Sequence, residues 1–192
     1  MQTIKNNTNN EITIKNSRFI CYLYKIKELN DINIILNNLK QKHDDANHHC
    51  YAYILDNIKK SSDDGEPGGT AGLPILKVLE NNNLNNVLAI VIRYFGGIKL
   101  GAGGLVRAYT KSVTNTLSKD NLTNLIPGYN IIIEFNYNQV KEIDYLLKDI
   151  TINSKIFDTN IKYNLDIPTN FLDTIKINNI NYHIIKEINI EK

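Results

Sequence analysis

Val87-Leu88-Ala89-Ile90-Val91-Ile92-Arg93-Tyr94-Phe95-Gly96-Gly97-Ile98-Lys99-Leu100-Gly101-Ala102-Gly103-Gly104-Leu105-Val106-Arg107 decides the fold. Its first six residues are an unbroken apolar run. That run is far shorter than the roughly 20 residues that span a bilayer, and it has the character of a strand buried on both faces. Gly96 to Gly104 forms a glycine-rich loop, and Leu105 to Leu117 has the spacing of a helix. A buried strand, a glycine loop and a helix in succession are the centre of an α+β domain.

Working outward, Thr8 to Lys27 reads as two extended pieces, with Ile12 and Ile14 alternating with polar neighbours and β-formers from Phe19 to Tyr24. Ile32, Ile35, Leu36 and Leu39 recur at one-face spacing, which predicts a helix over 28–42. Asn47 to Leu55 alternates as a strand, and Pro74 suits the first turn of a helix running to about Asn81. Pro127-Gly128 is the strongest break in the chain and predicts two domains, 1–126 and 127–192. Beyond it the reading is strand 129–137, helix 139–147, strands 151–157 and 160–167, helix 171–177 and strand 182–190. That β-α-β-β-α-β order is the split βαβ arrangement called ferredoxin-like.

A length of 192 residues with 42% hydrophobic and 22% charged residues describes a chain able to build a core. The net charge of +2 does not by itself mark a nucleic-acid binder, so any electrostatic case rests on local clustering. Cys21 and Cys50 sit apart in apolar runs, which predicts buried reduced thiols rather than a disulfide framework or zinc site. Met1 to Asn7 has no apolar signal core, and the expected location is the cytoplasm.

Two loops carry the candidate chemistry. The first places Asp63, Asp64 and Glu66 within four positions, followed by Pro67, Gly68 and Gly69. These carboxylates suit a rigid turn, a ligand contact or a hard cation, although no calcium-loop spacing is present. In the second loop Gly96, Gly97, Gly101, Gly103 and Gly104 stand among Arg93, Lys99, Arg107 and Lys111. Helix N-termini attract phosphates, yet neither a G-K-[ST] nor a G-x-G-x-x-G pattern follows, and close strand–helix packing explains the glycines equally well. Tyr94-Phe95 beside Arg93 suits stacking on unpaired bases, with one ring free to fill the core instead. His48 and His49 open a strand and face opposite ways, as hydrogen-bonded structural groups or as bases near the loops.

His48-His49-Cys50, Ser62-Asp63-Asp64-Gly65-Glu66-Pro67 with Gly69-Thr70-Ala71-Gly72, and Arg93-Tyr94-Phe95-Gly96-Gly97 with Leu100-Gly101-Ala102-Gly103-Gly104-Leu105-Val106 together resemble the Impact/YigZ family, as does the opening Ser17-Arg18-Phe19-Ile20. The matches run in order over about residues 11 to 118. The resemblance implies an N-terminal domain like the second domain of ribosomal protein S-five, and a C-terminal domain similar to the ferredoxin-like fifth domain of elongation factor G. It also implies a role in translational control. The family's eukaryotic members compete for a co-activator of a starvation-responsive initiation-factor kinase, a partner that the two-domain layout here does not carry over.

The expected activity is therefore non-catalytic binding of RNA, the ribosome or a translation factor. No catalytic residue, cofactor, metal or membrane partner is assigned. The alternative is an enzyme acting on a phosphorylated or nucleotide substrate, with a carboxylate of the first loop as base and Arg93 or Arg107 as clamp.

Overall fold

The computed structural model describes residues 1–56 and 58–192. Contacts cluster into two units, Met1–Asn124 and Leu125–Lys192, a division that falls just before the boundary read at 126/127.

In the first unit, strands β1 (Gln2–Ile4), β2 (Thr8–Ile14) and β3 (Ser17–Lys25) lead to helix α1 (Leu29–Lys42). The hairpin β4 (His48–Leu55) and β5 (Ile58–Ser62), helix α2 (Gly72–Asn81), strand β6 (Val87–Tyr94) and helix α3 (Ala102–Thr116) follow. The antiparallel sheet runs β2-β3-β6-β4-β5, so β6 is its central strand. Period-two alternation explains why β6 is apolar throughout. Val87, Ala89 and Val91 point into a core with Ile75, Leu79 and Tyr109 of α2 and α3. Leu88, Ile90 and Ile92 point the other way, onto Ile32 and Leu39 of α1. Each such fully buried aliphatic contributes about 1.5–3 kcal/mol.

The second unit is built on strand β7 (Leu122–Phe135), whose first residues pair with β1 and whose remainder belongs to this unit. Helix α4 (Val140–Leu146), strands β8 (Thr151–Phe157) and β9 (Ile161–Pro168), helix α5 (Phe171–Ile177) and strand β10 (Asn181–Glu191) complete it. Its strands lie in the order β10-β7-β9-β8, all neighbours antiparallel. Ile131, Ile133, Tyr163, Leu165 and Ile167 on one sheet face bury Ile143 of α4 and Ile175 of α5.

Four elements depart from the sequence reading. β1 is three residues long and exists through pairing with Leu122–Asn124, a contact that no local pattern announces. β5 is a polar edge strand, largely exposed, and lacks the apolar alternation of a core strand. α3 begins at Ala102, three residues before its apolar face starts, so Gly103 and Gly104 lie in its first turn. β7 extends back through Pro127-Gly128, which is strand rather than linker. A Cβ on Gly128 would lie 2.3 Å from Ile190 Cδ1 and 2.5 Å from the Ile167 carbonyl oxygen, so the glycine serves close strand packing.

Candidate functional site: a cleft between two glycine loops

The acidic turn is largely consumed by its own backbone. Asp63 Oδ1 accepts from the N–H groups of Ala71 (2.9 Å) and Gly72 (2.8 Å), and Oδ2 from Gly69 (2.8 Å). These bonds tie the carboxylate to the start of α2, where negative charge is favoured. Burial pushes the Asp63 carboxyl up, but the three N–H donors outweigh it and hold it below the usual range. Asp64 Oδ2 accepts the His49 N–H at 2.7 Å, locking the turn to β4. His49 is buried, and its Nε2 lies 3.1 Å from the His43 carbonyl oxygen. Asp63 and His49 thus shape the turn, whereas Asp64 commits Oδ2 to it and keeps Oδ1 4.0 Å from Lys40 Nζ. No cluster of three or more His, Cys, Asp or Glu able to hold a metal occurs among the described residues.

Glu66 behaves differently, and the reason is strand alternation. Arg93 follows Val91 onto the face of the sheet that carries α2 and α3, and there it is 5% exposed. Its Nη1 donates to Glu66 Oε1, an oxygen that also accepts from Tyr109 Oη at 2.7 Å. The Arg93 guanidinium lies between the Phe19 and Phe95 rings, 5.4 and 5.5 Å from their centroids. Cys50 Sγ is 3.3 Å from Tyr109 Oη and 2.9 Å from the Asp63 carbonyl oxygen. Burial pushes the Cys50 and Cys21 thiols up to about 12, and it also raises the Tyr109 phenol, whose Cys50 and Glu66 neighbours add to the effect. The thiols are therefore protonated and poor nucleophiles at neutral pH.

Arg93, read as a phosphate or backbone contact, is buried instead, and of the two rings beside it Tyr94 is the one that packs inward. Tyr94 faces the α1 side, where its hydroxyl donates to Asp45 Oδ1 at 3.2 Å. With its only proton committed, Tyr94 accepts from His43 Nδ1 at 2.8 Å, which leaves His43 Nε2 to accept from Tyr22 Oη at 3.0 Å. Burial lowers the His43 pKa, with Lys42 adding to the effect, and this agrees with a neutral ring. Arg18 covers the Tyr94 ring at 5.0 Å. The exposed aromatic of the pair is Phe95, on the Arg93 side.

The second loop folds beside this buried pair. A Cβ on Gly96 would sit 2.1 Å from the backbone of Asn16, so only glycine lets the loop cross the β2–β3 turn. Gly101 has φ +72° and stands at the N-cap of α3, which no side chain caps. Between the loops lies a cleft of about 440 Å³ whose lining includes His48, Glu66, Arg93, Phe95, Lys99 and Gly101. Pro67, Leu100 and Leu105 supply apolar wall. His48 Nδ1 is 2.9 Å from the Asp64 carbonyl, which can only accept, so Nδ1 carries the proton and Nε2 lies 3.9 Å from Glu66 Oε2.

Of the candidates, His48, Glu66, Arg93, Lys99 and Gly101 line the cleft, whereas Asp63, Asp64, His49, Tyr94, Gly96, Gly97, Gly103, Gly104 and Arg107 do not. Arg107 is exposed on α3, with Nη1 3.6 Å from where a Gly103 Cβ would stand. The sequence reading named Phe95 only as one of two rings beside Arg93, and it missed Leu100 and Tyr109 as site residues. Alternation past Arg93 identifies Phe95, and the helical spacing of Leu105, Ala108 and Tyr109 identifies the inward face of α3.

Comparison with known proteins fits this architecture. The model of the Impact N-terminal domain matches residues 15–117, more than half of the chain. IMPACT family member YvyE of Bacillus subtilis is 39% identical over 171 residues, covering 83% of this chain and 79% of its own length. IMPACT family member YigZ of Escherichia coli is 37% identical over 139 residues, covering 70% and 68%. A crystal structure of a hypothetical protein aligns over 96% of this chain and 97% of its own with a TM-score of 0.73 at 27% identity. On the motif order, the domain match and these relatives, the chain belongs to the Impact family.

Proposed function

We propose that this chain is a non-catalytic, translation-associated binding protein that contacts RNA, free or in the ribosome, through the edge formed by the second glycine loop and α3. The translational part of the reading follows the role of the family's eukaryotic members. The observation that carries the RNA part is the exposure of Phe95 and Lys99 on one loop, with Arg107 exposed on the helix that the loop opens. An exposed ring stacks on an unpaired base while lysine and arginine meet phosphates. Arg93 takes no outward part in this reading, because Glu66 neutralises it from within.

We read the first unit as similar to the second domain of ribosomal protein S-five. The second we read as ferredoxin-like, supported by its β-α-β-β-α-β order and the antiparallel succession β10-β7-β9-β8.

Titration with single-stranded RNA at several salt concentrations tests the function. Lys99→Ala and Arg107→Ala should each reduce the slope of log affinity against log salt by about 1. Phe95→Ala should weaken binding by about 1–3 kcal/mol with the slope unchanged. RNA binding that is undetectable, together with no co-sedimentation with ribosomes, would overturn the proposal.

A further inference from the structure

We infer that the cleft between the glycine loops is a binding site for a small phosphate monoester carrying a ring, with the phosphate held by Arg93, Lys99 and the N-terminus of α3. This does not rest on the RNA reading, since the cleft is a concave site below the exposed edge and asks for a discrete ligand.

The first observation is Arg93. Nine-tenths of it and more is buried, it lines the cleft, and its Nε has no hydrogen-bond partner. Glu66 takes Nη1 only. A buried charged N–H without an acceptor is costly, and an Nε edge is the side of a guanidinium that grips a phosphate or carboxylate in paired fashion. The second observation is α3, a helix of 15 residues whose N-terminus reaches the cleft at Gly101 and Ala102. No side chain caps it, whereas the start of α2 has the Asp63 carboxylate. Glycines at 101, 103 and 104 keep its first turn free of bulk, so a phosphate can approach the N–H groups.

Charge accounting points the same way. Glu66 and Arg93 cancel, and Lys99 at the rim has no ion-pair partner among the described residues. The cleft therefore holds a net positive charge together with the positive end of a helix. A volume of about 440 Å³ exceeds what a phosphate ion alone fills and lies within the span of small-ligand pockets. Phe95, Leu100, Leu105 and Pro67 give the remainder an apolar wall suited to a ring. His48 adds an imidazole ring to the same lining.

Amide and arginine Nε–H resonances of the full ¹⁵N-labelled chain, titrated with phenyl phosphate and with inorganic phosphate at fixed ionic strength, test this. Saturable shifts at Ala102, Gly103, Gly104 and Arg93 Nε–H are expected, with phenyl phosphate the tighter probe. Lys99→Ala should weaken phenyl phosphate on the order of tenfold, and Lys111→Ala, an exposed change elsewhere on α3, should leave it unaltered. Arg93→Lys keeps the charge and loses the paired grip, so a folded Arg93→Lys protein should lose most of the affinity. Shifts that do not saturate, shifts reproduced by sodium chloride, or equal weakening by Lys99→Ala and Lys111→Ala would overturn the site. The titration contains no RNA, so its outcome is separate from that of the RNA proposal.

Discussion

The two units treat polar groups in opposite ways. The first buries Glu66, Arg93, His43, His49, Thr70 and other polar residues, and links several of them by hydrogen bonds to the walls of one cleft. In the second, Asn130 is the one buried polar residue among the described residues, and the ion pairs lie at the surface. A sheet packed on two helices needs only an apolar face, and the second unit stops there. The first unit keeps a buried charged pair, an arrangement that well-packed apolar residues of similar volume often match in stability. Our proposals are placed in the first unit because the buried charged pair lines its cleft.

The sharpest way to break this contrast is to cut the pair. Glu66→Ala leaves Arg93 buried and uncompensated, and the loss expected in urea denaturation followed by circular dichroism is about 3–5 kcal/mol. A loss below about 1 kcal/mol would show that the pair is solvated and would erase the distinction between the units. The acidic turn comes next. Asp63→Ala removes three charge-assisted bonds and the anchor of α2, and should cost about 2–3 kcal/mol. The sign of its pH dependence follows from its depressed pKa. The folded state keeps the carboxylate ionised where the unfolded chain, titrating near 3.8, has begun to take up a proton. The contribution is therefore complete above that value and disappears as pH falls through the lower folded pKa. Asp63→Asn should flatten this acid limb, and an unchanged limb would contradict the assigned bonds.

Glycine sharpens the comparison from the side of packing. Gly96→Ala in the first unit and Gly128→Ala in the second both drive a Cβ into backbone atoms, and each should cost about 1–3 kcal/mol. Gly68→Ala meets nothing within 4 Å and should be near neutral by the same measurement. Equal losses at Gly96 and Gly68 would mean that the loop crossing over Asn16 relaxes freely.

How much of this was legible beforehand depends on the distance over which each feature is encoded. β6 and the helices α1, α4 and α5 announce themselves within one window, because a period of 2 or 3.6 is local. β1 is formed by a partner more than a hundred residues away, and Pro127-Gly128 looks like a linker because a glycine needed for strand contact has the same letter as one needed for a turn. At the site, residue types pointed to the right loops but not to their orientation. Alternation along β6 separates Arg93 from Tyr94, and reading it past the end of the strand assigns Phe95. The capture of Arg93 by Glu66, 27 positions earlier, has no local signature at all.

The smallest effect expected of an ion pair belongs to the second unit and defines the other limb of the comparison. Lys155 Nζ lies 3.0 Å from Asp144 Oδ1 and 4.2 Å from the Tyr163 ring centroid, so its distances are as favourable as those around Arg93. What differs is solvent, since both side chains of this pair are more than a third exposed. Water already satisfies each charge in the unfolded chain, and ordering two long side chains offsets much of the Coulombic gain. Lys155→Ala should therefore cost less than about 1 kcal/mol. Because an exposed pair is screened within a Debye length of about 3 Å at 1 M salt, that small cost should vanish in 1 M sodium chloride, whereas the cost of Glu66→Ala should persist. If Lys155→Ala destabilises the chain as much as Glu66→Ala, or resists salt as well, then burial is not what separates the two ion pairs, and the functional weight given to the first would have to come from the cleft alone.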